Sequence, residues 1–272
     1  MRNLTHTTYK KLMFEKEIER YEHVRADYEK DVVKKMSASD YLEWNEVLFS
    51  CHSCAIEGNS FTLDDTRVLL EQGLSMVPVG RSLLECTEMA DHFRAFRYVT
   101  SHLNMPFDEA LLRETNRLVT ENTLAYRVPE AVAGEYTTCD MAAGDTVFGD
   151  HKKLIARVPE LMKSTARAID QDIHPVIVAA RFHGFFEYLH PFRDGNGRTG
   201  RLLSNWIMLR VGHPLIIIDI KDRAAYINAL RNIRTEGTDE YLISFFFTAA
   251  ISRMENELAQ KRKNTNLGSF LF

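Results

Sequence analysis

The residues of this chain best able to do chemistry lie in one uninterrupted run, His190-Pro191-Phe192-Arg193-Asp194-Gly195-Asn196-Gly197-Arg198-Thr199-Gly200-Arg201. Gly195 and Gly197 permit backbone angles that other residues avoid, so main-chain N–H groups can converge on one concavity. Leu202, Leu203, Trp206, Ile207 and Leu209 then recur near helical spacing, which puts the glycine turn at a helix N-terminus. Unpaired amides and the positive end of the helix dipole favour an anion there. Arg198 and Arg201 stand on one helical face, and a guanidinium fork suits phosphate oxygens. Asp194 would repel a phosphate but suits an Mg²⁺ ion bridging to one. His190 is the nearest group able to accept a proton near neutral pH. Gly-Asn-Gly alone is an ordinary turn signal; the whole run describes a phosphate site with a base beside it.

The elements that must hold this loop are helical. A pattern from Pro175 to Leu189 delivers His190, carrying Val176, Ala179, Ala180, Phe182, His183 and Phe186 into a core. In it His183 reads as a hydrogen-bonded core histidine, and Glu187 has no partner that the sequence names. Gly212 and Pro214 end the following helix, Leu215 to Asp219 reads as a buried extended link, and Asp222 is placed to cap a helix to about Thr235. A last helix is expected from Asp239 to about Arg262. Upstream, residues 1 to about 36 read as one long polar helix with a thin stripe of Leu12, Ile18, Tyr21, Val24, Tyr28 and Val32. Ser37 to Asp40 offer helix-start residues for an apolar helix from Tyr41 to Glu57, stopped by Gly58-Asn59. Thr62/Asp65 and Ser82/Glu85 are capping-box pairs, and Pro106 opens a helix to about Thr120. From Tyr126 to Asp150 the helical period fails. Glu135 to Met141 and Asp145 to Phe148 are consistent with a small hairpin.

Composition bounds the rest. The chain has 272 residues, 45% of them hydrophobic and 26% charged, which is ordinary for a globular protein. A net charge of −4 gives no basic footprint for nucleic acid. The polar start and the short apolar runs predict no targeting segment and no membrane span, hence a soluble, cytoplasmic protein. Cys51-His52-Ser53-Cys54 has metal-type spacing, but no second pair completes a site, so buried thiols are expected and no metal is assigned to them.

The run His190 to Arg201 resembles the motif of Fic-domain proteins, H-P-F-x-[D/E]-G-N-G-R-x-x-R, at every specified position. The resemblance extends from about Ser53 to about Leu258. It implies an all-α Fic-type bundle of about eight helices with one small hairpin, divided into N-terminal helices over 1–80 and a catalytic core over 81–265. It implies an enzyme that moves AMP from ATP to a Tyr, Thr or Ser hydroxyl of a target protein and releases pyrophosphate. In that scheme His190 is the general base, Asp194 binds Mg²⁺, and Gly195, Asn196, Gly197 and Arg198 form the anion hole. Arg201 holds the γ-phosphate and Phe192 anchors the loop. Gly197 and Arg198 favour nucleotidyl over phosphoryl transfer.

Ser53 to Gly58 is similar to the family's inhibitory motif, [S/T]-x-x-x-E-[G/N]. By position alone Glu57 is an exposed helix-end glutamate, disfavoured by the helix dipole. The resemblance instead pairs it with Arg201, at the γ-phosphate position. It also makes the hairpin a target-docking flap around Gly144, Asp145, Thr146 and Val147, and places Tyr226 near the nucleotide base, where a core-edge role is the alternative. Thr137 stands where an arginine is common in the family. Competing expectations are removal of AMP with Glu57 orienting a water, and a nucleotide-sensing binding module. Self-modification and a homo-oligomer are compatible with the sequence; nucleic-acid and membrane partners are not expected.

Overall fold

The computed structural model describes residues 13–143, 146–171 and 173–267. Eleven α-helices are present among them, where the sequence reading counted about eight. Most of them share a hydrophobic core running from Phe14 to Leu258, and Cys54, Phe61, Leu69, Cys86, Met89 and Phe93 form a second, smaller one.

Of the polar helix expected over residues 1 to about 36, residues 1–12 lie outside the described residues; α1 (Glu15–Asp31) ends earlier than expected and is followed by one 3-10 turn over Val33–Lys35. Its thin stripe is enough to hold it: Tyr21, Val24 and Tyr28 are buried against the last helix. The Tyr28 hydroxyl donates to Glu257 Oε2 at 2.6 Å, and Arg253 donates to the Leu215 carbonyl at 2.7 Å, fastening the extended link as well. α2 (Ala38–Ile56) starts at Ser37, whose hydroxyl accepts from the Asp40 amide, and stops where Gly58 takes φ +103°. α3 (Leu63–Gln72) and α4 (Leu83–Ser101) begin at the two capping boxes, both formed in full.

α5 (Glu109–Thr120) begins at Asp108, whose carboxylate accepts from the Leu111 amide. Pro106 lies just outside it, because the aspartate satisfies an amide that proline cannot. The short α6 (Leu124–Arg127) follows. The hairpin pairs β1 (Ala142–Ala143) with β2 (Thr146–Val147), later and shorter than the expected first piece; Gly144 and Asp145, assigned to the flap, lie outside the described residues.

α7 (Leu154–Ile169), α8 (Pro175–Leu189) and α9 (Asn196–Arg210) build the centre, with α8 and α9 packed along each other. α10 (Arg223–Thr235) follows Asp222, whose side chain bonds no helix amide, contrary to its expected capping. α11 (Glu240–Leu267) runs past the expected end at Arg262. Leu215 to Ile218 are buried and extended, and Asn205 holds Ile216 through both its amide and its carbonyl, as strand pairing would.

Candidate active site

The loop between α8 and α9 is fixed from several sides. Phe192 is 1% exposed, and the Asn196 side chain accepts from its amide at 3.0 Å and donates to its carbonyl at 2.7 Å. Asn116 of α5 donates to the Asp194 carbonyl and to the Thr199 hydroxyl, while the Thr137 amide donates to the Pro191 carbonyl. Gly195 is the N-cap of α9 at φ +75°, and a Cβ there would lie 2.6 Å from a Thr120 methyl. Both the left-handed backbone and the close approach require glycine.

Glu57 meets Arg201 as the resemblance implied. Its Oε1 lies 2.8 Å from Arg201 Nη2, and a Cβ on Gly197 would meet the same oxygen at 2.2 Å. The carboxylate thus sits directly over the first turn of α9, where amides and dipole attract an anion. This answers the charge conflict at the end of α2. Arg201 is buried and held besides by the Ser53 carbonyl (2.8 Å), the Ser53 hydroxyl (3.1 Å) and Tyr226 (3.4 Å).

Tyr226 is 1% exposed; its hydroxyl contacts His183 Nε2 as well as Arg201, and burial raises its pKa. In this arrangement it holds Arg201 within the core. His183 is a core histidine, as expected, and burial pushes its pKa down to about 4. Arg198 and Arg201 leave one helix face but diverge. Arg198 is buried with Nη1 2.6 Å from Glu88 Oε1 and Nη2 3.3 Å from Asp194 Oδ1. Arg127 joins the same network, 2.9 Å from Glu88 and 3.0 Å from Asp194 Oδ2. A buried guanidinium demands a counter-charge, but nothing in the spacing identified Glu88 or Arg127 as its surroundings.

His190 ends α8 at φ +49°, the one non-glycine residue with positive φ among the described residues. Phe148, just after β2, stacks on the imidazole with ring centres 3.7 Å apart. Arg234 backs Phe148 at 4.7 Å and donates to the carbonyls of Glu187, Tyr188 and Val147, joining the hairpin to the end of α8. Of the assigned flap residues, Thr146 and Val147 pair in the hairpin, and Val147 directly precedes the Phe148 that stacks on His190.

Other clusters carry structural duties. Glu22, His174 and His213 approach one another, but Arg25 neutralises Glu22 at 2.7 Å and His174 Nδ1 accepts the Val176 amide. Cys51 and Cys54 are buried free thiols. A cavity of about 620 Å³ lined by Lys153, Arg157, Arg181, Phe185 and Tyr188 includes no residue of the phosphate loop. No helix among the described residues is long and apolar enough to cross a membrane.

Residues 106–208 match the Fic/DOC family. The chain is 35% identical over 175 residues to a protein adenylyltransferase Fic of Nematostella vectensis, covering 64% of this chain and 40% of that protein. It is 32% identical over 199 residues to one of Drosophila grimshawi, covering 71% of this chain and 39% of the relative. The chain thus spans about two-fifths of the length of these curated relatives. Among solved structures, a Fic domain-containing signaling protein from Bacteroides thetaiotaomicron superposes with a TM-score of 0.76 at 22% identity, over 90% of this chain and 97% of that one. Fic-1 from C. elegans superposes at 0.73 with 25% identity, over 97% and 76% respectively. With the phosphate loop, its motif and the helical fold in agreement, this chain belongs to the Fic/DOC family.

Proposed function

We propose that this protein is a self-inhibited protein adenylyltransferase that moves AMP from ATP to a Tyr, Thr or Ser hydroxyl. The observation that carries the reading is the Glu57 carboxylate lying 2.8 Å from Arg201 over the amides of α9. An anion already rests where a terminal phosphate would, so the site is built for one and carries its own competitor. Asn196 and Gly197 supply free amides, Gly195 the turn while its own amide donates to Asp194 Oδ1 at 2.7 Å, Arg198 and Arg201 the charge, and Tyr226 keeps Arg201 in register. His190 Nε2 takes the proton of the target hydroxyl as its oxygen bonds to the α-phosphorus and the bond to pyrophosphate breaks.

The Asp194 carboxylate fits a divalent cation shared with substrate phosphates, since it is a hard oxygen donor at the loop and only partly exposed. Arg127, which is 34% exposed, is the partner that would yield Oδ2. Mg²⁺ bound there would neutralise phosphate charge. Thr146 and Val147 are read as part of the surface that pairs with an extended target segment beside Phe148.

A second reading, hydrolytic removal of AMP, is favoured by Glu57 itself. Its side chain is 35% exposed and can orient a water at the site. A protein substrate, self-modification, a homo-oligomer and cytoplasmic residence belong to the proposal in the same way. The test is transfer of label from ATP marked at the α-phosphate. Protein labelling that requires His190 supports the first reading, and release of AMP from a modified protein only when Glu57 is present supports the second. ATP binding without either reaction leaves a nucleotide-sensing module and overturns both.

A further inference from the structure

Glu187 is the acidic residue that the sequence left without a partner. It lies one helical turn before His190, its side chain is 13% exposed, and its Oε2 is 3.4 Å from His190 Nδ1. The three-residue spacing puts the two side chains on one face at the end of α8, where His190 adopts φ +49° and ψ +60°. A left-handed non-glycine residue costs about 1–2 kcal/mol and persists only where its surroundings impose it. Here they do so: Phe148 covers one ring face, and Arg234 holds the backbone of Glu187 through its carbonyl at 2.6 Å. His190 Nδ1 and Glu187 Oε1 are both buried without a hydrogen-bond partner, so the approach of Oε2 to Nδ1 leaves unspent bonding capacity on both side chains. Burial raises the Glu187 pKa, but the contact with His190 and nearby positive charge hold it below the usual carboxylate range.

We infer that Glu187 is the positioning residue of the catalytic base: its carboxylate accepts the Nδ1 proton of His190 and leaves the Nε2 lone pair for the target hydroxyl. Catalytic hydrogen bonds are commonly long before substrate arrives and tighten in the reacting complex. When Nε2 takes the hydroxyl proton, the imidazolium gains a partner for its second N–H, and Glu187 makes and breaks no covalent bond. The inference rests on the adenylyl-transfer reading for its rate consequence, but not for the ring tautomer that it sets.

The test uses Glu187→Gln, Glu187→Asp and Glu187→Ala in the full chain, each also combined with Glu57→Ala. The first readout is the nitrogen spectrum of His190, identified by its loss in His190→Ala. The Nδ1-protonated tautomer is expected in the parent, and a shift toward the Nε2-protonated form in Glu187→Ala. The second is the labelling rate in the Glu57→Ala background. A loss in kcat of about 100-fold or more is expected for Glu187→Ala and Glu187→Gln, with KM for ATP unchanged and partial rescue by Glu187→Asp. An unchanged tautomer in Glu187→Ala, or parental kcat in an active Glu57→Ala background, would overturn the inference. If Glu57→Ala and its His190→Ala double mutant are equally silent, the adenylyl-transfer reading fails instead, and the tautomer still decides the role of Glu187.

Discussion

Removing the Glu57 charge perturbs the competition on which the proposed function turns. Coulomb's law with an effective dielectric of about 20 gives a gross attraction on the order of 5 kcal/mol for the ion pair with Arg201. Hydration of a carboxylate that is 35% exposed and the entropy of holding its side chain reduce the net to about 1–3 kcal/mol. A γ-phosphate entering the site must displace this contact, and each 1.4 kcal/mol is a factor of about ten. Glu57→Ala is therefore expected to tighten ATP binding by about 10- to 100-fold and to raise labelling from α-marked ATP in parallel. Glu57→Gln separates charge from shape and should recover most of the gain. The fold should survive, because Ser53 and Tyr226 still hold the Arg201 guanidinium. Isothermal titration with ATP, with and without Mg²⁺, measures the first quantity, and label on protein measures the second. Equal affinity and equal labelling in wild type and both variants would refute the reasoning.

Glu88→Ala removes the 2.6 Å carboxylate partner of the buried Arg198 and should lower stability by about 3–5 kcal/mol, read as a fall in the urea midpoint. Arg127→Ala frees Asp194 Oδ2 from a partly exposed pair worth up to about 1 kcal/mol, so Mn²⁺, followed by its paramagnetic resonance in the presence of ATP, should bind about 2- to 5-fold more tightly. His183 has its pKa lowered from 6.5 to about 4 by burial, so the unfolded chain binds the extra proton between those values. Its contribution to stability is complete above pH 6.5 and falls as pH drops through that window, by about 2 kcal/mol from pH 7 to pH 5. His183→Gln should flatten that slope in urea titrations at the two pH values.

Much of this protein was legible in the chain because the signals were local. Ser37, Thr62 and Ser82 cap the helices they precede, since a hydroxyl and an amide three residues on are neighbours by geometry alone. The glycine turn opening α9 follows from the same local logic. Periodicity also placed His183 in the core and Leu215 to Ile218 in a buried link. The pairing of Glu57 with Arg201 came from the motif resemblance, not from spacing, since the two stand on helices far apart in sequence.

What spacing could not carry was long-range charge and ring contact. Glu88 and Arg127 surround Arg198 and Asp194 only because α4 and α6 pack beside the loop. Phe148 reaches His190 only because Arg234, from α10, binds carbonyls of both the hairpin and α8. Glu187 is three positions from His190, a spacing that makes neighbours on a helix, but α8 ends at His190, and its left-handed turn and the Phe148 ring stacked on it decide how the imidazole meets the carboxylate. Local bonding rules wrote the helices and the glycine turn that opens α9 into the sequence. Which charge neutralises which, and which way the imidazole faces, were decided by the packing of distant segments, because those energies exist only once the chain has closed on itself.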